Sequence, residues 1–337
     1  MNKKIRTFLQ YAFFLLLAGV LLWLAFRGIA FEAIKEALRS ANYRWILLSV
    51  ILGIVSHISR SIRWNMLIKP LGYTPRLINT FFAVMIGYFA NLAFPRLGEL
   101  SKCEILRRYE GVPINKLLGT MIMERAADLV SLIILIGIVF IFEFHFLKET
   151  IRSYLIEPVL GAMKSNSEAL LLIGLTIIFL IAAGIWFLRK FRHIPLLIRF
   201  RELAVGFVEG LKSIGKMDNA WAFVLHSVFI WSLYYTMTYV AFFAFGETAH
   251  LGLMAGLVVF VFGSIGMVMP LPGGIGSYHS LVRLALSLYA VPAATAAAFA
   301  TAIHAGQTFG IILLGFLSLS LLPILNGKKT AEENENA

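Results

Sequence analysis

The sequence predicts an all-α polytopic membrane protein with about six full transmembrane helices and two re-entrant helical hairpins that enter from opposite faces. Three observations carry this reading. First, 59% of the 337 residues are hydrophobic and only 14% are charged, against about 25% charged in an ordinary soluble domain. Second, several apolar runs are long enough to cross a bilayer, which takes about 20 helical residues. Third, two apolar segments are interrupted by proline and glycine and return on short arms. Ten helical residues, such as 97–106, rise about 15 Å, roughly half the hydrocarbon thickness.

The elements follow in order. The first span is 8–26. Lys3, Lys4 and Arg6 precede it, as they would in a signal peptide, but its apolar stretch is too long and no small-residue cleavage site follows. The second span, 44–62, contains His57 and runs into Arg60 and Arg63. Residues 77–106 form the first hairpin, broken at NLAFPRLGEL, 91–100. The third span, 117–142, carries Glu124, Arg125 and Asp128. The fourth, 168–188, is uncharged from Ala169 onward, and the fifth is 221–245. Residues 251–290 form the second hairpin, in which MPLPGGIGSYH at 269–279 interrupts an uncharged run. The last span is 293–322.

Loop charge sets the topology, because Lys and Arg collect on the cytoplasmic side. The N-terminus, the loop 60–76 and the segment 189–220 are all basic. If 77–94 crossed once, Arg96, Lys102, Arg107 and Arg108 would lie outside, and 189–220 with them. Two hairpins remove that conflict and leave both termini cytoplasmic; eight transmembrane helices is the alternative. The chain then forms one integral membrane domain over 1–325 with a polar, disordered tail at 326–337. The expected location is a bacterial cytoplasmic (inner) membrane.

Other classes fall away. The net charge is +12, but the basic residues sit beside apolar runs, which points to anionic lipid headgroups and topology and not to nucleic acid. The single cysteine, Cys103, can form no disulfide within the chain. GLKSIGKM at 210–217 resembles a phosphate loop, but Met217 replaces the required Ser/Thr and no strand precedes it. Seven histidines show no metal-ligand spacing. No cofactor, metal or catalytic pairing is expected, and no loop is long enough to hold a soluble catalytic domain.

The breaks and the intramembrane charges mark the candidate site. Irregular backbone cannot face lipid, since its amides and carbonyls would lack partners. A buried tip therefore implies an internal cavity, and its free amides, with the helix N-terminus that follows, favour an anion such as phosphate. An ordinary surface turn is the bland alternative. In the second hairpin this reading selects Pro272, Gly273, Gly274, Gly276, Tyr278 and His279. In the first it selects Asn91, Arg96, Glu99 and Lys102, whose charges must pair or bind a charged ligand if buried. From the spans come Arg60 and Arg63, then Glu124, Arg125 and Asp128. Arg125 and Asp128 are three apart and can pair, leaving Glu124 for Arg96 or Arg63. A structural ion-pair network is the alternative. His304 and Gln307 share a helix face, where they line the cavity or bond between helices. Gly306 and Gly310, like Gly252 and Gly256, have the spacing of close helix contact.

Four motifs in order, R-S-I-R-W at 60–64, N-L-A-F-P-R-L-G-E at 91–99, E-R-A-A-D at 124–128 and P-L-P-G-G-I-G at 270–276, resemble the lysylphosphatidylglycerol synthase transmembrane-region family, also called the flippase-like domain family. The chain resembles a stand-alone member without the aminoacyl transferase domain. The resemblance implies a domain that moves or presents lipids. One departure stands out, since His279 occupies a position where that pattern often has an acidic residue.

The expected function is a lipid translocase that moves or binds an anionic-headgroup lipid, a phospholipid or a polyprenyl-linked one, in a cavity between the hairpins. The alternatives are an accessory subunit presenting a lipid to a separate lipid-modifying transferase, with 189–220 as its docking surface, and an embedded transferase using Glu99, Glu124 or His279. The topology is tested by single cysteines at Tyr109 and Ile194 in a Cys103→Ser background. Both should be labelled only from the cytoplasmic face, and external labelling of either contradicts the hairpins.

Overall fold

The computed structural model describes residues 16–93, 97–143, 157, 219–269 and 271–327. Among them the chain is helical, in ten α-helices: α1 Leu16–Phe26, α2 Phe31–Ser40, α3 Tyr43–Ile68, α4 Leu77–Ala93, α5 Leu97–Glu110, α6 Ile114–Phe142, α7 Ala220–Ala241, α8 Leu253–Val268, α9 Ser277–Ser287 and α10 Ala293–Asn326. Asn42 starts α3 by accepting the Arg44 amide at 3.2 Å. Pro70 and Gly72, the latter at φ +88°, close it.

Four helical stretches are long and apolar enough to cross a membrane: Tyr43–Leu71, Ile114–Phe142, Ala220–Ala244 and Ala293–Asn326. They match the expected spans 44–62, 117–142, 221–245 and 293–322. Their outward faces are apolar and exposed, as at Ile133 and Ile134 on α6 or Phe309 and Phe316 on α10. Faces of this kind need lipid against them, because soluble monomers do not expose such continuous apolar area. The chain is an all-α polytopic integral membrane protein. Helix α1 accounts for part of the span 8–26 and meets α2 at 81°; the span 168–188 and the basic segment up to Asp218 lie outside the described residues.

Two helical hairpins occupy the expected positions. In the first, α4 and α5 run antiparallel: Asn91 meets Gly98, Gly87 lies against Gly98 and Lys102, and Asn79 bonds Glu110 at the open end. In the second, α8 and α9 do the same, with Gly266 against Ser277 and Tyr278, and Gly263 against Tyr278 and Val282. Phe94, Pro95, Arg96 and Pro270 lie outside the described residues.

Helix α10 works as a ruler for both. Its 34 residues span about 51 Å. From its C-terminal end, Asn326 bonds Asn79 and Arg76, Leu322 packs on Phe82 and Ile86, and Gly315 lies against Met85 and Phe89. The first hairpin thus climbs α10 from that end. The second descends from the other end, where α9 leads into α10, and its tip reaches His304, whose Nε2 donates to the Gly273 carbonyl at 2.8 Å. The tips meet between these levels, where the Leu92 side chain lies beside Gly273. Asn326, the first residue assigned to the tail, is the last of α10, and 328–337 lie outside the described residues.

Helices α3 and α7 pack antiparallel, with Ser59 Oγ 2.8 Å from His226 Nδ1, Arg63 donating to Ser227 at 3.1 Å, and the Asn42 amide reaching Ala244 at 2.8 Å. Gly306 and Gly310 bring α10 against Ile46 and Val50 of α3, as their spacing suggested; Gly256 sits against Tyr239, while Gly252 faces open space.

The first hairpin depends on backbone contact. A Cβ at Gly98 would run into the Asn91 side-chain amide and into the Gly87 carbonyl, which is backbone and cannot swing aside. Gly98→Ala should therefore cost about 1–3 kcal/mol by overpacking. Thermal unfolding in detergent should show a clear drop, whereas Gly119→Ala, in open space, should leave the transition unchanged.

Candidate functional site

The charges scattered over three segments of sequence converge on one buried network. On α3, Arg60, Arg63 and Trp64 are three and four residues apart and share a face. On α6, Glu124 and Asp128 are one turn apart and face them. Arg60 donates to Glu124 at 2.6 Å and to Asp128 at 2.9 Å. Arg63 donates to Asp128 at 2.7 Å, with Glu124 at 3.8 Å. Lys102, from the returning arm α5, reaches Glu124 at 2.6 Å. Arg63 and Glu124 have no solvent exposure, and Arg60 and Lys102 have 5% each. The indole of Trp64 sits beneath Lys102 at 4.4 Å and donates to Thr120 at 3.0 Å.

Two properties of this network bear on chemistry. Three cations face two carboxylates, so it carries one excess positive charge. Its donors are also not all used: the Nε groups of Arg60 and Arg63 are buried without partners. A buried charge in low dielectric is costly unless compensated, so the network binds α3, α5 and α6 together.

A pocket adjoins Lys102. It is lined by α4 residues Val84, Gly87, Tyr88 and Asn91, by Gly98, Glu99 and Lys102 of α5, and by Arg125 of α6. Its volume is about 10 Å³, room for roughly one water. Arg125 pairs with Glu99 at 3.3 Å at the rim, and the second Glu99 oxygen is buried without a partner. Asn91 accepts the Gly98 amide at 2.8 Å.

The pairing scheme expected from spacing is corrected here. Arg125 bonds Glu99 on α5, not Asp128, because the two α3 guanidiniums already claim Asp128. Glu124 is held chiefly by Arg60 and Lys102, with Arg63 further off. Arg96 lies outside the described residues.

The second tip is differently occupied. Gly273, Gly274 and Gly276 all have φ between +56° and +86°, which only glycine adopts freely. The Gly274 amide is bonded within the turn, to Leu271 at 3.2 Å. At Gly276, Ala18, Leu21 and Leu22 of α1 fill the space a side chain would need, and Pro272 is buried. Tyr278 and His279 pack beside His304, with ring centroids 5.3 and 4.9 Å away. Gln307 bonds between helices, donating to Ser49 at 3.1 Å, while His304 bonds the tip. The pocket thus lies inside the first hairpin against α6, and the second hairpin meets the first at Gly273 beside Leu92 of α4, neither of which lines the pocket. Among the described residues no His, Cys, Asp and Glu cluster suits a metal.

Sequence reasoning assigns no site role to Trp64, Thr120, Tyr88, His57 or Ser227. Trp64 was visible in principle, since it shares a face with Arg60. The others are ordinary residues that acquire roles from neighbours distant in sequence, such as Tyr88, whose ring lies tilted against His57 at 4.9 Å.

The charge count separates two substitutions. Glu124→Gln leaves Arg60 and Lys102 without their shared carboxylate and should cost about 3–5 kcal/mol. Lys102→Met leaves two arginines facing two carboxylates and should cost only the hydrogen bond, about 1–3 kcal/mol. Thermal unfolding of the two variants in detergent should rank them in that order.

Comparison with known proteins agrees with this architecture. The UPF0104 membrane protein MJ1595 of Methanocaldococcus jannaschii is 29% identical over 134 residues, 38% of this chain and 40% of the relative's length. PH1989, a UPF0104 membrane protein of Pyrococcus horikoshii, is 25% identical over 281 residues, covering 76% of this chain and 79% of that protein. A UPF0104 membrane protein of Methanothermobacter thermautotrophicus is also 25% identical over 281 residues, 79% of this chain and 82% of the relative. No solved structure matches the chain. The family model described as the lysylphosphatidylglycerol synthase TM region matches residues 11–315; with the intramembrane charges and both interrupted hairpins inside that match, the chain belongs to the lysylphosphatidylglycerol synthase transmembrane-region family.

Proposed function

We propose that the chain binds an anionic-headgroup lipid at the pocket beside Lys102 and carries it between leaflets. The observation that supports this reading is the excess positive charge of the buried network, set next to a small pocket whose lining includes Asn91, Glu99, Lys102 and Arg125. Lys102 and Arg125 would take the phosphate, Asn91 and Glu99 would take donors on the headgroup, and Arg60, Arg63, Glu124 and Asp128 would hold Lys102 in place. The acyl tails stay in the bilayer, so only the headgroup needs desolvating.

In this proposal the hairpins are re-entrant, the first from the cytoplasmic face and the second from the opposite face, with both termini cytoplasmic. The opposed climb of the two hairpins along α10 favours it, and transporters build midplane sites in this way. That topology requires one further crossing between α6 and α7, the role the sequence assigns to 168–188. The pocket holds about one water as it stands, so admitting a headgroup requires α5 to part from α4 at the Gly87–Gly98 contact. The membrane is a cytoplasmic one; the relatives matched are archaeal, so a specifically bacterial location has no support from them.

Purified chain in vesicles of phosphatidylcholine and phosphatidylglycerol tests the proposal. Fluorescent phosphatidylglycerol should exchange between leaflets with wild type, and Lys102→Met should slow exchange at least about tenfold, the equivalent of 1.4 kcal/mol, while staying folded. Equal rates for wild type and Lys102→Met would contradict the site. No exchange by wild type, with a lipid-modifying enzyme co-purifying, would favour the presenting-subunit reading.

A further inference from the structure

The second hairpin carries a pair of histidines that the proposed anion site does not use. His279 is on α9 and His304 on α10, with ring centroids 4.9 Å apart. His279 is 7% exposed, and its Nδ1 is buried without a partner. His304 Nε2 meets the Gly273 carbonyl at 2.8 Å; a carbonyl only accepts, so that nitrogen carries the hydrogen, and with both rings neutral each keeps one unprotonated nitrogen. Two protonated rings this close would repel strongly, so the pair accommodates one proton.

The described contacts bring no carboxylate to either ring. Helices α1, α4, α8 and α10 contain no Asp, Glu, Lys or Arg among their described residues, and α2, which also packs on α10, carries Glu32, Lys35, Glu36 and Arg39 with both carboxylates exposed and Glu32 paired to Lys35. On α9 the charged residue is Arg283, which donates to the Ala25 carbonyl of α1. Tyr278 is the remaining titratable group against the two rings, and Phe26 of α1 closes the far side of His279 at 6.1 Å. From α3, the nearby polar contact is uncharged, Ser49 with Gln307. A histidinium here has no counter-anion among the described residues. Yet the tip beside it touches Leu92, next to Asn91 of the anion pocket.

We propose that His279 and His304 form a proton-binding site filled together with the anionic headgroup, each charge stabilising the other across the contact between the tips. The inference rests on the lipid-binding reading above. An opposite charge nearby favours the charged form of an ionisable group, and linkage makes the effect reciprocal: protonation strengthens anion binding as much as the anion strengthens protonation. In a loaded carrier the proton offsets the phosphate charge from the side opposite Lys102.

The test uses full-length protein in weakly buffered, uncharged detergent near pH 6.5, titrated with phosphatidylglycerol, with bound lipid counted by native mass spectrometry. Wild type should take up close to one proton per lipid bound. Its affinity should tighten as pH falls, by up to about tenfold per pH unit through the titration. His279→Gln and His304→Gln, whose amides preserve a donor, should bind lipid with little proton uptake and a flat pH profile. Phosphatidylcholine, which has the same phosphate but no net charge, should cause no uptake. Lipid binding by wild type without proton uptake, or uptake unchanged in both variants, overturns the histidine site and leaves the lipid reading standing. Failure of wild type to bind phosphatidylglycerol at any pH overturns both.

Discussion

The structure is organised around the carboxylate of Glu124. Fully buried on α6, it takes Arg60 from α3 on one oxygen and Lys102 from α5 on the other, each at 2.6 Å. Water cannot screen these charges, so each must find its partner inside the protein. That requirement fixes where the returning arm of the first hairpin can lie: α5 must present Lys102 to α6, and the Gly87–Gly98 approach lets α4 and α5 close over it. Asp128, one turn along α6, draws in the two arginines and ties α3 to the same point. The arrangement has three cations for two carboxylates, and that imbalance is what the proposed anion site builds on.

The second constraint is the fate of the backbone where the helices break. Non-helical main chain at depth needs partners. In the second tip they are local: Gly274 bonds Leu271, Gly273 bonds His304, and α1 covers Gly276. The glycines there serve turn geometry and close approach. Of their amides, that of Gly274 is used within the turn; in the proposed reading the anion is held by side chains in the first hairpin. The two hairpins, climbing α10 from opposite ends, bring those side chains and the histidine pair to neighbouring levels.

Much of this was legible in the sequence. The long apolar runs at 44–62, 117–142, 221–245 and 293–322 each became a helix, since length and hydropathy alone decide that outcome. The proline–glycine interruptions marked both hairpins because those residues cannot continue a helix. The charged residues of the site were also identifiable, as ions in apolar segments are expensive and few. Their pairing was not. Spacing on α6 made Arg125 and Asp128 natural partners, but burial against α3 offered Asp128 two guanidiniums and turned Arg125 toward Glu99. Contacts of that kind depend on which helices become neighbours, as do the roles of Trp64, Thr120 and Tyr88, and no local pattern encodes them. The same holds for the meeting of His279 with His304, 25 residues apart in the chain.

The most direct measurement is a cryo-electron microscopy map of the protein in nanodiscs containing phosphatidylglycerol. The account predicts a phosphate within hydrogen-bonding distance of Lys102 and Arg125, with α5 moved away from α4 at Gly98 and the Arg60–Glu124 contact preserved. A closed pocket with Lys102 held only by Glu124, and phosphatidylglycerol confined to the outer lipid belt, would contradict it.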